Sequence, residues 1–209
     1  MDTFLAAADR SEIWRDFFYT ELTTGLRRGE ICGLMWQDFD EKAGTLKILR
    51  SVNVPKAGEL EIGETKTSQG RRTIRLPPST VQRLKERKKH AVSQWIFPEP
   101  LAPEKPVRPS AAYYWMKRIL KEAGLPAIRF HDLRHTFATH ALTSGVDAKT
   151  LSGILGHTNA SFTLDTYTHT TGDMQKRAAE IVEEFLTDIF REGLQSWEES
   201  AKAAKAPSA

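Results

Sequence analysis

The sequence predicts an α+β chain that is mostly helical and carries one small antiparallel sheet of about three strands. Three observations lead there. Apolar residues recur at helical spacing on both sides of a central region: Ile13, Trp14, Phe17, Phe18 and Leu22 before it, Leu133, Phe137 and Ala141 after it. Between Gln37 and Leu76 the pattern changes to β-favouring runs broken by glycine-containing turns, FDEKAGTLKILRSVNV and GELEIGETKTSQGRRTIRL. The length of 209 residues, 40% of them hydrophobic, suits one well-buried core with no room for a second full domain.

Each element follows from local chemistry. Ser11 is placed to cap the first amphipathic helix, and Gly25 to end it. A short helix begins near Arg27. After the strands, Pro77 and Pro78 announce a helix over 78–92 with Ser79 or Thr80 as its cap. The five prolines between Phe97 and Pro109 predict a loop. Helices are expected near 110–123, 131–143, 147–154, 159–168 and 173–190. The last has an apolar stripe, Ala178, Ile181, Val182, Phe185, Leu186 and Ile189, that needs a partner surface. Packing on its own core and docking on a neighbouring molecule fit that stripe equally.

Composition excludes several classes. No run approaches the roughly 18 apolar residues of a membrane span. The start, MDTFLAAADRSE, has no basic n-region or apolar h-region, so a signal peptide is not expected and the protein reads as cytoplasmic. Cys32, the single cysteine, can form no internal disulfide and lies in an apolar run as buried filler. The net charge is only +3, yet KTSQGRRTIRLPPSTVQRLKERKKH, from Lys66, holds Glu86 as its only acid. That density fits a polyanionic partner or a solvated helix face.

Three segments concentrate chemistry. In FHDLRHTFATHA, His131 and Arg134 are three apart near a helix start, where free backbone N–H groups and the dipole favour an anion; a guanidinium fork beside an imidazole suits phosphate. His131 and His135 stand four apart as zinc ligands do, but no glutamate lies between them and no cysteine nearby, so no metal is expected. His135 and His140 read as structural. In TGLRRGEICGLMW, Glu30 is spaced to hold Arg27 in one orientation, and Arg28 is given no role. LSGILGHTNASFTLDTYTH supplies His157 and Tyr167.

TGLRRGE, the lysine of TKT, HDLRHT, LGH and YTH, in that order, resemble the catalytic domain of the tyrosine recombinases, the phage integrase family. The wording is closest to integrases of conjugative transposons and phages. The resemblance implies that Tyr167 attacks the scissile phosphate to give a 3′-phosphotyrosyl link. It implies that Arg27, Arg134 and His157 hold the non-bridging oxygens, that Lys66 protonates the leaving 5′-oxygen from a hairpin tip, that His131 helps accept the tyrosine proton, and that Glu30 supports. No cofactor, metal or ATP is needed on this reading. The implied function is site-specific DNA recombination for integration or excision of a mobile element. The implied partners are double-stranded DNA, a homo-tetramer exchanging C-terminal helices and accessory directionality or bending proteins; the implied location is the bacterial nucleoid.

Residues 1–172 are expected to form the catalytic domain, 173–192 the C-terminal helix and 193–209 a tail. The N-terminal core-binding and arm-binding domains of such proteins are not recognised in the chain, which suggests a truncated form. Two alternatives remain at this level: a type IB topoisomerase-like relaxing activity, which shares the catalytic set, and a catalytically idle DNA-binding module.

Overall fold

A long amphipathic helix organises the core. In the computed structural model, which describes residues 2–9, 11–55, 58–64 and 70–157 together with positions 176, 179, 180, 182 and 183, α1 (Asp2–Ala8) leads into this helix, α2 (Glu12–Thr24). Trp14, Phe17 and Phe18 are almost wholly buried on α2. Phe17 meets Phe97 edge-on at 5.1 Å, and Trp14 stacks on Trp115 at 5.5 Å. Such aromatic pairs fix geometry as well as burying area. Ser11 occupies the N-cap position with extended backbone, but its side chain makes no capping bond, contrary to expectation. Gly25 ends α2 as expected, in the left-handed region at φ 60°, its N–H bonded to the Glu21 carbonyl.

The short helix α3 (Arg28–Cys32) follows. Five strands then fill the region where about three were expected: β1 (Phe39–Asp40), β2 (Thr45–Ile48), β3 (Arg50–Asn53), β4 (Glu61–Glu64) and β5 (Arg72–Arg75). They divide into a three-stranded antiparallel sheet, β1-β2-β5, and a separate β3-β4 ladder. Leu46 faces Ile74 across the β2–β5 ladder, and Leu46, Ile48 and Ile74 are buried there. Because β4 pairs with β3 and β5 with β2, the segment carrying Lys66 links strands of two ladders; the hairpin expected to present it is not formed by β4 and β5. Lys66 itself lies outside the described residues.

Helix α4 (Pro78–Lys89) starts with Pro77 at the N-cap and Pro78 at N1, where a missing N–H costs nothing. Thr80, one of the two expected caps, is buried and donates to the Thr23 hydroxyl at 2.9 Å, tying α4 to α2. The proline-rich segment is not a plain loop but a small hairpin of β6 (Pro98–Glu99) and β7 (Ala102–Pro106), with a register irregularity at Pro98 and Glu99. Prolines are tolerated because a two-stranded ladder leaves each strand a free edge. Helices α5 (Pro109–Glu122), α6 (Phe130–Thr143) and α7 (Ala148–Leu155) complete the described part of residues 1–168.

Residues 169–209 form a separate unit, in which the described positions 176, 179, 180, 182 and 183 are helical. The expected helix over 159–168 and the rest of the apolar stripe lie outside the described residues. Among the described residues no helix is long and apolar enough to cross a membrane.

Candidate phosphate-binding site

The C-terminal end of α7 gathers three arginines from three distant parts of the chain. Arg72 Nε donates to the Ile154 carbonyl at 2.6 Å, Arg134 Nη2 to the Leu155 carbonyl at 2.8 Å, and Arg27 Nη2 to the Gly156 carbonyl at 3.0 Å. These are orphan carbonyls of a helix end, where the peptide dipoles leave partial negative charge, so each accepts a cation. Asp147 caps the other end of α7 by accepting the Thr150 N–H at 2.8 Å. Gly156 turns the chain at φ 67°, and a Cβ there would stand 2.7 Å from Arg72 Nη1. Only glycine allows Arg72 so close to the turn.

Glu30 aligns two of these arginines. It is 2% exposed and receives Arg27 Nη1 at 2.8 Å, the Arg27 backbone N–H at 2.9 Å, and Arg72 Nη1 and Nη2 at 3.1 and 2.9 Å. Burial, the largest single influence, would raise its carboxyl, but the Arg72 fork and then the bonds and charge of Arg27 together outweigh it; the group titrates below the usual carboxylate range. Arg27 keeps 44% of its side chain exposed, so a braced guanidinium faces solvent.

Arg134 is 1% exposed. Besides Leu155 its Nη1 donates to the Gly25 carbonyl at 2.8 Å, joining the end of α2 to the end of α7. It begins the second turn of α6 rather than sharing the first with His131. The free N–H groups expected at that helix start are partly taken, because Asp132 accepts the Arg129 backbone N–H at 2.8 Å.

His157 completes the cluster. Its Nε2 lies 2.8 Å from Arg134 Nη2. A guanidinium can only donate, so Nε2 accepts and the ring is neutral with its proton on Nδ1. Burial, then the charges of Arg134, Arg27 and Arg72, lower its pKa to about 4. His131 is exposed beside the cluster; burial of part of its ring and then His135 lower its pKa, and the two rings meet edge-on at 4.5 Å. His135 is half-buried and His140 exposed in the last turn of α6. Arg27, Glu30, Arg134 and His157 are thus brought together, with His131 alongside. Tyr167, like Lys66, lies outside the described residues.

Sequence reasoning passed over Arg72. Its signal was strand alternation: in RTIRL, Arg72 falls on the same face as Ile74 and Leu76, both buried, so an arginine pointed inward and needed a buried acid. Arg28, given no role, borders a cavity of about 320 Å³ with Glu21, Tyr113, Arg129, His131 and Arg134.

The basic run after Lys66 is largely engaged internally. Arg83 and Arg87 reach the buried Asp16 at 3.4 and 3.7 Å, Lys88 pairs with Glu41 and Lys89 with Glu86. Much of its charge density is therefore structural.

The phage integrase family model matches residues 1–173. The chain belongs to the phage integrase family. A tyrosine recombinase XerC-like protein of Caldanaerobacter subterraneus subsp. tengcongensis is 30% identical over 196 residues, covering 83% of this chain and 49% of that protein. The ICEBs1 integrase of Bacillus subtilis is 26% identical over 191 residues, covering 83% and 50%. The Tn1549 transposon integrase, solved in complex with transposon right end DNA, has a TM-score of 0.74 at 25% identity and covers 87% of this chain and 64% of that one. The XerA recombinase shares the fold at a TM-score of 0.67 and 21% identity. As a member of the phage integrase family this chain has the catalytic-domain fold of tyrosine recombinases, and it spans about half the length of the curated relatives it matches.

Proposed function

We propose that this chain is the catalytic part of a site-specific DNA recombinase that cuts and rejoins strands of a mobile element through a 3′-phosphotyrosyl intermediate. The observation that carries this reading is the convergence of Arg27, Arg72 and Arg134 on the end of α7 beside His157. Fixed guanidiniums stabilise the added negative charge of a phosphorane-like transition state more than the ground state, with no reorganisation during the reaction.

On this reading Tyr167 is the nucleophile. A phenol with a pKa near 10 needs cationic neighbours and a proton acceptor, a part assigned to His131. Arg27 and Arg134 hold the non-bridging oxygens with His157, Glu30 fixes Arg27, and Lys66 protonates the leaving 5′-oxygen. His157, neutral in the free protein, presents Nδ1–H as its donor unless the ring reorients when phosphate displaces its contact with Arg134. The substrate is double-stranded DNA, bound by a tetramer in which the segment after Tyr167 docks on a neighbouring protomer, with accessory proteins setting direction; residues 1–172 are the catalytic domain. The location is the nucleoid. The similarity to an integrase solved on its transposon end supports DNA as substrate.

The test is a nicked suicide duplex carrying the end sequence of the element that encodes the chain, run on a denaturing gel. A protein–DNA adduct is expected from the native protein and none from Tyr167→Phe. An adduct that persists in that variant removes Tyr167 from its role.

A further inference from the structure

Glu21 is a buried acid to which the recombination chemistry gives no task. It lies one helical turn before the end of α2, is 0% exposed, and neither carboxylate oxygen has a hydrogen-bond partner among the described residues. Its own backbone carbonyl receives the Gly25 N–H, and the Gly25 carbonyl receives Arg134 Nη1. Glu21 and Arg134 border the same cavity of about 320 Å³, together with Arg28, Tyr113, Arg129 and His131. An ionised carboxylate without hydrogen bonds survives burial only on the field of a nearby cation. Here Arg134 is that cation: burial raises the Glu21 carboxyl well above its ordinary range, Arg134 pulls it back, and Glu30 pushes it up again.

We infer that the Glu21 carboxylate and a DNA phosphodiester compete for the charge of Arg134, so that DNA is bound with Glu21 protonated. The inference rests on reading the arginine cluster as a DNA-phosphate site. With Glu21 ionised, one negative charge already sits behind Arg134 and repels the incoming phosphate across the cavity. With Glu21 neutral, that repulsion is gone and the charge of Arg134 is left to the phosphate. Binding and protonation are then linked reciprocally: DNA favours the protonated acid, and the protonated acid favours DNA.

The groups that share this coupling come from every element around Glu21. Arg134 and His131 face it from α6, with Arg129 just before that helix; Arg28, Glu30 and Cys32 come from α3, and Tyr113 from α5. The acid-facing arginines of α4, Arg83 and Arg87, are held by Asp16 on α2, and the buried side chains of α1 are Phe4 and Ala8. His157 titrates near 4 and His131 below its ordinary value, so a proton taken up above that range is not theirs. Phosphodiesters do not titrate there either.

The experiment uses the whole chain and a fluorescein-labelled 30-base-pair duplex of arbitrary sequence. Affinity is measured by anisotropy from pH 6 to 9 at fixed salt, and proton uptake by calorimetry in two buffers of different ionisation enthalpy. Native protein is expected to take up a proton on binding and to lose affinity as pH rises. Glu21→Gln, and Glu21→Met as a second neutral variant in case the first folds poorly, are expected to lose that uptake and to bind at least about fivefold tighter at the alkaline end, the low end of typical linkage. Superimposed pH profiles and equal proton uptake in native and variant proteins, with DNA bound by all, overturn the role of Glu21 alone. Absence of duplex binding in every protein at every pH overturns the DNA-phosphate reading itself, and the linkage with it.

Discussion

Arg72 decides whether Glu30 can act as a brace. With Arg72 removed, the nearly inaccessible Glu30 carboxylate keeps Arg27 as its main partner, and breaking one side of a buried ion pair typically costs about 3–5 kcal/mol. Arg72→Ala is therefore expected to lose stability on that scale, read by urea unfolding, and to leave Arg27 poorly oriented. Arg72→Lys restores charge but not the two-pronged contact, so it is expected to recover only part of the loss. His157 sets a pH window. Its folded pKa of about 4 lies below the ordinary histidine value of 6.5, so the unfolded chain binds more protons between those values, and stability is gained as pH rises through them and lost as pH falls. His157→Asn is expected to show a shallower acid loss between pH 6.5 and 4 in thermal melts; an unchanged slope removes His157 from that role. At this scale the sequence made Arg27, Glu30, Arg134 and His157 legible because motif spacing marks them. Glu21 was passed over although its spacing marked it: it falls three and four residues after Phe18 and Phe17, on the buried face of α2.

Two helix starts share one device. Arg27 precedes α3 and Glu30 accepts its backbone N–H; Arg129 precedes α6 and Asp132 does the same. In both, the acid three residues on also pairs with the arginine side chain, so one spacing fixes both helix entry and guanidinium direction. The two helix ends matter more. Gly25 and Gly156 both adopt positive φ, and each offers its own or its neighbour's carbonyl to a site arginine. At Gly25 a Cβ would fall 2.3 Å from Phe137 Cδ1, and at Gly156 2.7 Å from Arg72 Nη1. Gly156→Ala is expected to cost at least about 1–2 kcal/mol from the left-handed backbone alone and to expel Arg72 from Glu30. Its signature is loss of DNA adduct at temperatures where circular dichroism still reports a folded protein. Glycine-ended helices were readable from sequence, since apolar periodicity stops at each glycine. The β4–β5 separation was not, because strand partners depend on which faces find the core, and GELEIGETKTSQGRRTIRL reads as well as a single hairpin.

Across the whole molecule, the site is a meeting of chain segments more than 100 residues apart, held by arginines on helix-end carbonyls. If the site binds phosphate as proposed, stability and that binding draw on the same charges. Binding of a random duplex is expected to weaken steeply with salt, log K falling by about 0.9 per phosphate neutralised for each unit of log salt. Arg27→Ala, whose side chain faces solvent, is expected to flatten that slope by about one phosphate contact, whereas Lys89→Ala, a lysine already paired with Glu86, is expected to leave it nearly unchanged. The basic run after Lys66 suggested a broad polyanion surface, yet its inward arginines hold Glu30 and Asp16, a distinction that only burial reveals. The central claim is that these converged arginines serve a tyrosine that becomes joined to DNA. Its most direct measurement is to trap the adduct on a nicked duplex bearing the element's end, digest the protein and sequence the nucleotide-bearing peptide by mass spectrometry. The modification is expected on Tyr167, in the peptide that follows LGH; a modification on any other residue contradicts that role.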